Sequence, residues 1–441
     1  MLIENQVYIY DFVWAISEAI DLISPTLHNH HKKVAYISGC IAQEMQLPND
    51  TFCDIILAAL LHDIGVFSIK EWGLLLTFEE EDGVDLDSHA YYGYALLKDF
   101  KLFLKAANLI RYHHADYTKY RNTIPIGSYI IHLADRVAIS IDEGREILTQ
   151  IPVLYACLNE KSETFHPEVL MAFSKLAKKE CFWIETSSAS LIRTDILKRM
   201  NLSKETVDLE TVRNFAKLTS QIIDFRSRFT ATHSSGVAAV AMELTKLAGF
   251  SEEECMSMEI AGFLHDIGKL AVPNEILEKP RELNSAEFNV IRKHTYYTYM
   301  ILSRLRGLEH IATLAAYHHE RLDGTGYPFR IKGRDISKLS RIMAVADVIT
   351  ALTENRPYRA GMSKKHTEKI LLDMHNEGAL DGNIVDLAIK NFTHINDIRI
   401  KAQRKALKNY DAFHETILKR ENNKGRKKKE EKDKNEYKYV S

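Results

Sequence analysis

The chain has few cysteines, no excess of either charge and no long apolar run, and each of these shortages excludes a class of protein. The five cysteines among 441 residues are scattered without a CxxC pair, which argues against a disulfide framework and against a zinc knuckle. The partly apolar N-terminus is interrupted by Glu4, Asp11 and Glu18 and follows no basic segment, so it is neither a signal peptide nor a membrane span. We therefore expect a cytoplasmic protein with reduced thiols.

The charge balance is nearly neutral, with 58 basic against 60 acidic side chains and a formal net charge of -2. No overall steering toward nucleic acid or a membrane follows from this balance. A basic, charged low-complexity tail begins at Arg420 and is predicted to be disordered. Its lysines could make weak contacts with nucleic acid or an acidic partner, but a solvated tail is the favoured interpretation.

Alternating strand patterns are also scarce, whereas apolar residues three and four positions apart recur along most of the chain, for example in residues 235–250 and 367–379. This spacing is typical of amphipathic helices. The length suggests two or three domains. The sequence thus predicts an all-α protein.

One apolar helical run ends abruptly in His265, Asp266, Gly268 and Lys269. A buried imidazole beside a carboxylate must be paired, hydrogen-bonded or bound to metal, and Gly268 suits the end of a helix. Neighbouring residues on a continuous helix point about 100° apart, whereas at a helix end both can face one ion. Taken alone, the pair could equally be a cap or a hydrogen-bonded core pair.

Five more imidazole and carboxylate side chains strengthen the metal interpretation. The candidate ligands are His233, His265, Asp266, His294, His318, His319 and Asp347. Nitrogen and oxygen ligands without cysteine suit iron, manganese or similar divalent ions. Seven ligands exceed the needs of one tetrahedral ion, but two six-coordinate ions that share a carboxylate and a water would use them all. Asp266 is the natural bridging ligand, because a carboxylate has two oxygens.

These residues, the run HHERLDGTGYP from His318 to Pro328 and the segment ALTENRPYR ending at Arg359 resemble the HD-GYP branch of the HD phosphohydrolases over about residues 215–391. The resemblance implies a metal-dependent phosphodiesterase that hydrolyses a 3',5'-cyclic dinucleotide to the linear dinucleotide, using a hydroxide activated by two metal ions. The substrate would be a bacterial second messenger, either cyclic di-GMP or 3',3'-cyclic GMP-AMP, and the sequence leaves this choice open.

The resemblance also distributes the ligands between two divalent ions, for which iron or manganese is favoured. His233, His265 and Asp347 would complete one ion site. His294, His318 and His319 would complete the other. Family members with a third metal carry an acidic residue four positions before the first histidine, and many carry an aspartate two positions earlier still. Here these positions are Phe229 and Ser227, so two ions are expected rather than three.

Substrate-handling residues are carried over in the same way. Lys269 and Asp266 are the expected catalytic residues, and Lys269 would neutralise a phosphate oxygen or help to protonate the leaving 3'-oxygen. Arg356 and Arg359 would bind phosphates as forked donors. Tyr327 and Gly326 would shape the loop, and Tyr327 would make some contact with the ligand.

The first half of the chain repeats the second. The run LAALLHDIG, which contains His62 and Asp63, precedes a counterpart around His265 and Asp266, and His30 precedes His233 by the same offset. The repeat predicts a second possible metal site in this half of the chain, made of His30, His62, Asp63, His89, His113, His114 and Asp135. Val66 stands at the position of Lys269, and no GYP run follows the paired histidines. We expect a metal-competent N-terminal lobe without the cyclic-dinucleotide apparatus.

Four regions are predicted from these patterns. They are an N-terminal HD lobe over residues 1–186, a partly helical linker over 187–218, a catalytic HD-GYP domain over 219–397, and a C-terminal helix with a charged tail over 398–441. Two alternatives stay open: a non-catalytic receptor for the cyclic dinucleotide, and a two-step enzyme whose N-terminal lobe also removes a phosphate from the linear product. The sequence is compatible with a homodimer but specifies no oligomeric state.

Overall fold

A computed structural model describes residues 7–23, 29–66, 87–188, 190–193, 196, 206–224, 232–277, 279, 281–355 and 360–438 of the chain. Within these ranges the side chains of residues 87 and 418–438 are not described. The described part is almost entirely helical, which confirms the all-α prediction. No helix in these ranges is both long enough and apolar enough to cross a membrane.

The N-terminal half forms one group of packed helices. In chain order these are α1 (Ile9–Asp21), α2 (His30–Glu44), α3 (Asn49–Leu61), α4 (Asp87–Leu97), α5 (Leu104–Arg111), α6 (Tyr117–Tyr120), α7 (Ile126–Ile139), α8 (Ile147–Glu160), α9 (Pro167–Leu176) and α10 (Glu180–Thr186). Helix α2 packs against α3 and α7, and α4 packs against α5. These contacts bury apolar side chains such as Ile37, Ile55 and Leu60, so the histidines that begin and end these helices lie beside a closed core.

The second half forms a similar group. Its helices are α11 (Leu209–Asp224), α12 (His233–Leu247), α13 (Glu252–Leu264), α14 (Asn274–Leu277), α15 (Ser285–Leu302), α16 (Glu309–Ala316), α17 (Lys338–Thr353), α18 (Lys364–Asn376), α19 (Gly382–Lys390) and α20 (Phe392–Lys438). Helix α12 packs against α13, α17 and α20. Capping boxes fix the start of α13 at Ser251 with Glu254 and the start of α15 at Asn284 with Glu287.

The helix boundaries repeat in step with the motifs. Helices α2 and α12 both begin at the first candidate ligand histidine of their lobe, and α3 and α13 both end at the leucine directly before the histidine–aspartate pair. Helices α5 and α16 likewise end two residues before the paired histidines of their lobes. The tandem arrangement of two HD-type lobes is therefore confirmed. The names N-terminal lobe and second lobe are used for these two helical groups.

Equivalent parts of the two lobes meet at their interface. Strand β1 (Val7–Tyr8) pairs in antiparallel fashion with β2 (Thr206–Val207). Phe12 on α1 and Phe215 on α11 occupy equivalent positions of the repeat, and their ring centroids are 4.9 Å apart. Contact between a residue and its own equivalent is the mark of a two-fold axis. The lobes thus pack as a pseudo-symmetric pair with α1 and α11 at the centre.

The two sides of this pair differ. On α1, Asp11 and Glu18 form ion pairs with arginines of the second lobe, with N···O distances of 2.5 and 2.6 Å. The equivalent positions of the repeat, on α11, are Asn214 and Gln221. They line an open groove of about 1150 Å³ that also contains Lys101. One side is closed by charge pairs, and the other is open.

Two of the predicted domain limits fall inside helices. The limit at 218/219 lies within α11, which packs against α13 of the second lobe, and the limit at 397/398 lies within α20. Helix α11 therefore joins the predicted linker to the second lobe without an interruption.

The charged tail is the part of the fold that the sequence predicts wrongly. Helix α20 continues through Arg420 to Lys438, where disorder is expected from composition. The tail is rich in lysine and glutamate, which have favourable helix propensities. Because α20 is already formed by packing against α12, further residues are added by propagation without a new nucleus.

Candidate metal centres

The histidine–aspartate turn of the second lobe is made by a change of helix type. Helix α13 ends at Leu264, His265 is its C-cap, and Asp266 leaves helical geometry with φ -101° and ψ 8°. A 3-10 helix follows over Ile267–Ala271. This break turns the imidazole and the carboxylate of the adjacent residues toward one place, as the sequence predicts.

Close packing holds the turn against α15. A Cβ on Gly268 would lie 1.9 Å from the carbonyl oxygen of His294, so only glycine fits there. The Gly268 N–H donates to the Thr298 hydroxyl at 3.1 Å, and that hydroxyl donates to the carbonyl oxygen of His265 at 2.9 Å. The turn and α15 therefore form one rigid unit.

Different elements bring the remaining predicted ligands to this turn. His233 is the first residue of α12, His294 lies in α15, and Asp347 lies in α17. His318 and His319 occupy a 3-10 helix, Tyr317–His319, directly after α16. All seven predicted ligands of the second lobe are thus brought together.

Asp266 lies at the centre of the cluster. Its Oδ2 is 3.2 Å from His265 Nε2 and 3.8 Å from His233 Nε2. Its Oδ1 is 3.4 Å from His294 Nε2 and 4.0 Å from His318 Nε2. Each oxygen therefore faces a different pair of imidazoles, which is the placement expected of a bridging carboxylate.

Asp347 and the last imidazole complete the two groups. Asp347 Oδ1 is 3.4 Å from His233 Nε2, and its Oδ2 is 3.8 Å from His319 Nδ1. His233, His265 and Asp347 have ligand atoms within 4.8 Å of one another, and so do His294, His318 and His319. These are the two groups that the family resemblance implies.

The hydrogen bonds of the imidazoles fix their tautomers. Three of them place Nδ1 within 2.6–2.8 Å of the carbonyl oxygen three residues earlier, namely His265, His294 and His318. Because Nδ1 donates in each case, the lone pair is on Nε2. His294 Nε2 and His318 Nε2 are only 3.2 Å apart, so two lone pairs face each other. A cation held by both nitrogens would remove this repulsion.

Burial and charge keep three of the ligand side chains in their metal-binding forms. Burial lowers the pKa of His294 to about 3 and that of His319 to about 4, so both are neutral at pH 7. Burial disfavours the Asp266 carboxylate, but His265 and Lys269 outweigh it and hold the pKa of Asp266 well below its usual range. Among the described residues, no group donates a hydrogen bond to the buried Asp266 Oδ1. The donor set and this unsatisfied oxygen fit divalent metal ions.

A carboxylate outside the predicted set supports His233. Both oxygens of Glu354 are 3.1 Å from His233 Nδ1, and Gln403 Nε2 on α20 donates to Glu354 at 3.3 Å. Burial opposes the charged form of His233, but Glu354 and Asp347 together raise its pKa to about 10. The sequence analysis missed Glu354. Its position seven residues after Asp347, two helical turns on, was the available signal.

Lys269 lies at the edge of the cluster, where the sequence predicts it. Its Nζ donates to Asp266 Oδ2 at 2.5 Å, and its side chain is 23% exposed. The ammonium group therefore reaches both the central carboxylate and the opening of the site.

The loop with the GYP run covers the same edge. The ring centroid of Tyr327 is 4.9 Å from that of His319 and 5.0 Å from the guanidinium carbon of Arg292. A Cβ on Gly326 would lie 2.4 Å from the backbone nitrogen of Arg321, so Gly326 is needed for the fold of the loop. Arg292 was missed in the sequence, where nothing distinguishes it from a surface arginine.

Glu320 fixes the other end of this loop. It is 3% exposed and accepts hydrogen bonds from the backbone N–H groups of Phe329 at 2.7 Å and Arg330 at 3.2 Å. The remaining predicted positions, Arg356, Arg359, Phe229 and Ser227, lie outside the described residues.

The N-terminal lobe contains a second cluster of the same design. Asp63 Oδ2 is 2.9 Å from His62 Nε2, and Asp63 Oδ1 is 3.1 Å from His89 Nε2 and 3.6 Å from His113 Nε2. His89 Nε2 is also 3.0 Å from His114 Nε2. The central carboxylate again divides its oxygens between two groups of imidazoles.

The same lobe brings in the last two of its seven predicted ligands. His30 Nε2 is 3.1 Å from Asp135 Oδ1 and 3.3 Å from His62 Nε2. The other oxygen of Asp135 accepts from Arg136 Nη2 at 2.6 Å, where the second lobe has Val348. Val66 is buried beside the turn, so no lysine approaches Asp63 from this position.

Each cluster falls within a recognised domain. Residues 217–384 and 27–139 both match families described as the HD domain. The class is therefore that of the HD-domain hydrolases, which depend on bound metal.

Individual relatives define the family more closely. The chain is 30% identical over 414 residues to 3'3'-cGAMP-specific phosphodiesterase 1 of Vibrio cholerae, an alignment that covers 88% of this chain and 93% of the relative. It is 32% identical over 196 residues to a cyclic di-GMP phosphodiesterase of Thermotoga maritima, covering 43% of this chain and 48% of that protein. The chain belongs to the HD-GYP family of metal-dependent phosphodiesterases.

A solved structure shares the fold. It is the cyclic GMP-AMP specific phosphodiesterase V-cGAP3 of V. cholerae, with a TM-score of 0.61 at 20% identity. The match covers 88% of this chain and 98% of that one.

Proposed function

We propose that the second lobe hydrolyses a 3',5'-cyclic dinucleotide to the linear dinucleotide. The observation that carries the proposal is the convergence of seven ligand side chains, with Lys269 and the GYP loop at the open edge of the same cluster. The relative that aligns over most of its length is named for 3'3'-cGAMP, and others are named for cyclic di-GMP. We therefore propose 3',3'-cyclic GMP-AMP as the first substrate to test and cyclic di-GMP as the second.

The proposed cofactors are two divalent ions, with iron or manganese favoured by the nitrogen and oxygen ligands. His233, His265 and Asp347 would hold one ion, and His294, His318 and His319 the other. Asp266 would bridge them. When bound, the ions supply positive charge beside the phosphodiester and lower the pKa of water.

Lys269 is proposed to act on the phosphate. Its ammonium group is anchored to Asp266 and partly exposed, so it can hold a nonbridging phosphate oxygen and donate a proton toward the leaving 3'-oxygen. The site then gains a fixed positive charge where negative charge develops.

Arg292 and Tyr327 are proposed to bind the rest of the substrate. Within the described ranges Arg292 forms no ion pair, and its guanidinium lies over the Tyr327 ring beside the cluster. A guanidinium in this position can bind the second phosphate, while Tyr327 offers a ring edge to a base. Arg356 and Arg359 keep the phosphate-binding role proposed from the sequence.

The deciding experiment is chromatographic analysis of products from 3',3'-cyclic GMP-AMP and cyclic di-GMP, with manganese or ferrous iron. The wild type should give linear product, and a His265→Ala, Asp266→Ala variant should give none. The internal repeat supplies a matched control, because His62→Ala with Asp63→Ala removes the equivalent pair from the N-terminal lobe and should leave turnover in place. Turnover by the second-lobe variant, or none by metal-loaded wild type, would refute the proposal.

A further inference from the structure

The N-terminal cluster contains an imidazole that the second lobe lacks. His31 is fully buried, and its ring centroid is 4.9 Å from that of His62 and 5.4 Å from that of His30. Its Nε2 lies 3.9 Å from Asp63 Oδ2. Neither the HD motif nor the seven-residue set includes this residue.

A carboxylate orients His31 from behind. Asp21, the last residue of α1, has Oδ1 2.5 Å from His31 Nδ1. With the Nδ1 proton donated to Asp21, the Nε2 lone pair is on the side of the ring that faces the cluster. A carboxylate that holds the outer nitrogen of an imidazole is the usual support of a histidine metal ligand.

The second lobe fills the equivalent space differently. The residue that follows its first histidine, in the place of His31, is Ser234, whose hydroxyl donates to Asp224 at 2.9 Å. The group near the outer oxygen of the central carboxylate is instead the ammonium of Lys269, 2.5 Å from Asp266 Oδ2. An ammonium has no lone pair and cannot bind a metal, whereas a neutral imidazole can.

The distances in the N-terminal lobe suit one shared ion. Ligand atoms that each lie about 2.1 Å from an ion are roughly 3 to 4 Å from one another. His30, His62 and Asp63 have ligand atoms within 4.8 Å of one another, and His31 Nε2 lies 3.9 Å from one of these atoms, Asp63 Oδ2.

We propose that His31, oriented by Asp21, is an additional protein ligand of this ion in the N-terminal lobe. With Asp135 included, the ion would have five protein ligands, whereas the equivalent position in the second lobe has four. The additional ligand is expected to slow release of this ion relative to its counterpart in the second lobe.

The test measures retention of metal. Manganese-loaded full-length protein carrying His265→Ala and Asp266→Ala, which removes the second-lobe site, is dialysed against EDTA, and bound metal is followed by mass spectrometry. We expect this protein to retain manganese, and we expect a further His31→Ser change to speed its release about 10- to 100-fold. Asp21→Asn, which keeps the imidazole but removes its orienting charge, should act in the same direction.

Controls separate a lost ligand from a damaged fold. His166→Ser removes another buried histidine of the same lobe, which contacts Asn122 and lies outside the cluster, and it should leave release unchanged. Far-ultraviolet circular dichroism reports the fold of each variant. If His31→Ser misfolds, the rate of manganese release from Asp21→Asn tests the proposal instead. Unchanged release in folded His31→Ser and Asp21→Asn, or complete loss of manganese before either change, would overturn the proposal.

Discussion

At the scale of single residues, the sequence identifies the candidate metal ligands but not the residues that hold those ligands in place. The seven ligands of each lobe are recognisable because the same histidines and aspartates recur in the same order in both halves, and buried imidazole and carboxylate groups must be paired or bound to metal. Glu354, Gln403 and Glu320 act through tertiary contacts, and in the sequence they are ordinary polar residues. Their roles lie in hydrogen bonds that the sequence does not report: Glu354 with His233, Gln403 with Glu354, and Glu320 with the GYP loop.

Replacing Glu354 by glutamine tests the support of His233. The variant keeps the shape of the side chain but removes the charge that faces His233 Nδ1 at 3.1 Å. Because such partners orient the ring and raise its basicity, we expect metal affinity of the second lobe to fall about 10-fold or more. Titration with metal, monitored by calorimetry, measures this affinity. Glu377→Gln, at an exposed position, is the control, and equal affinity in both variants would contradict the role given to Glu354.

Lys217 on α11 offers a test of stability against pH. Burial, followed by the charges of Lys405 and Arg213, lowers its pKa from the ordinary 10.5. The folded protein therefore binds this proton less readily than the unfolded chain, so the contribution of Lys217 to stability improves as pH rises toward 10.5. Lys217→Met should raise the unfolding temperature at pH 7 by about 1 °C, with a smaller gain at pH 10.

Thermal scans of both proteins at the two pH values make this comparison. The gain should persist at high salt only in part, since the repulsion from Lys405 and Arg213 is screened. A Lys217→Met variant that is less stable than the wild type at both pH values would contradict this prediction, because it would mean that the surroundings stabilise the Lys217 ammonium group.

At the scale of elements, the sequence predicts the ordinary helices well and the junctions less well. The spacing between repeated motifs reappears in the boundaries of α2, α3 and α5 and their counterparts, because apolar spacing is a local signal. The helical tail and the position of α11 across a predicted domain limit depend on packing against distant helices, which composition does not report.

The histidine–aspartate turn is an element whose geometry can be broken by one methyl group. In Gly268→Ala the new Cβ would be 1.9 Å from the His294 carbonyl oxygen, which is backbone and cannot rotate away. We expect a loss of about 1–3 kcal/mol or more, together with loss of metal from the second lobe as the turn separates from α15. Urea unfolding and metal analysis measure the two effects.

The repeat and a surface loop supply comparisons for this change. Gly65→Ala should have the same effect in the N-terminal lobe, since its Cβ would be 2.2 Å from the His89 carbonyl oxygen. Gly144→Ala, where the nearest atom is a side-chain oxygen at 3.2 Å, should be nearly neutral. Normal metal content in Gly268→Ala would show that the turn does not depend on this contact.

At the scale of the whole molecule, Phe215 joins the two lobes. Its ring lies 4.9 Å from Phe12 and 4.7 Å from Phe103, both of the N-terminal half, and it is 1% exposed. Phe215→Ala should cost about 3–5 kcal/mol and let the lobes unfold at different denaturant concentrations. Hydrogen exchange in peptides from α2 and α12 at rising urea would resolve the two transitions.

A substitution within the N-terminal lobe is the control for Phe215→Ala. Phe173 is equally buried but contacts Phe182 and Trp183 of its own lobe. Phe173→Ala should destabilise the protein but leave the lobes coupled, so that α2 and α12 are still exposed together, at one lower urea concentration. Simultaneous exposure of both helices in Phe215→Ala would show that other contacts couple the lobes.

The pseudo-symmetric interface also bears on how such a chain diverges. Two identical subunits around a true dyad must carry every substitution twice, so a change from Asp11 and Glu18 to amides would open both sides of the contact at once. Fusion of the duplicated copies into one polypeptide removes that constraint. Asn214 and Gln221 can then open one side while the ion pairs of α1 keep the other closed, and the two halves are free to specialise separately.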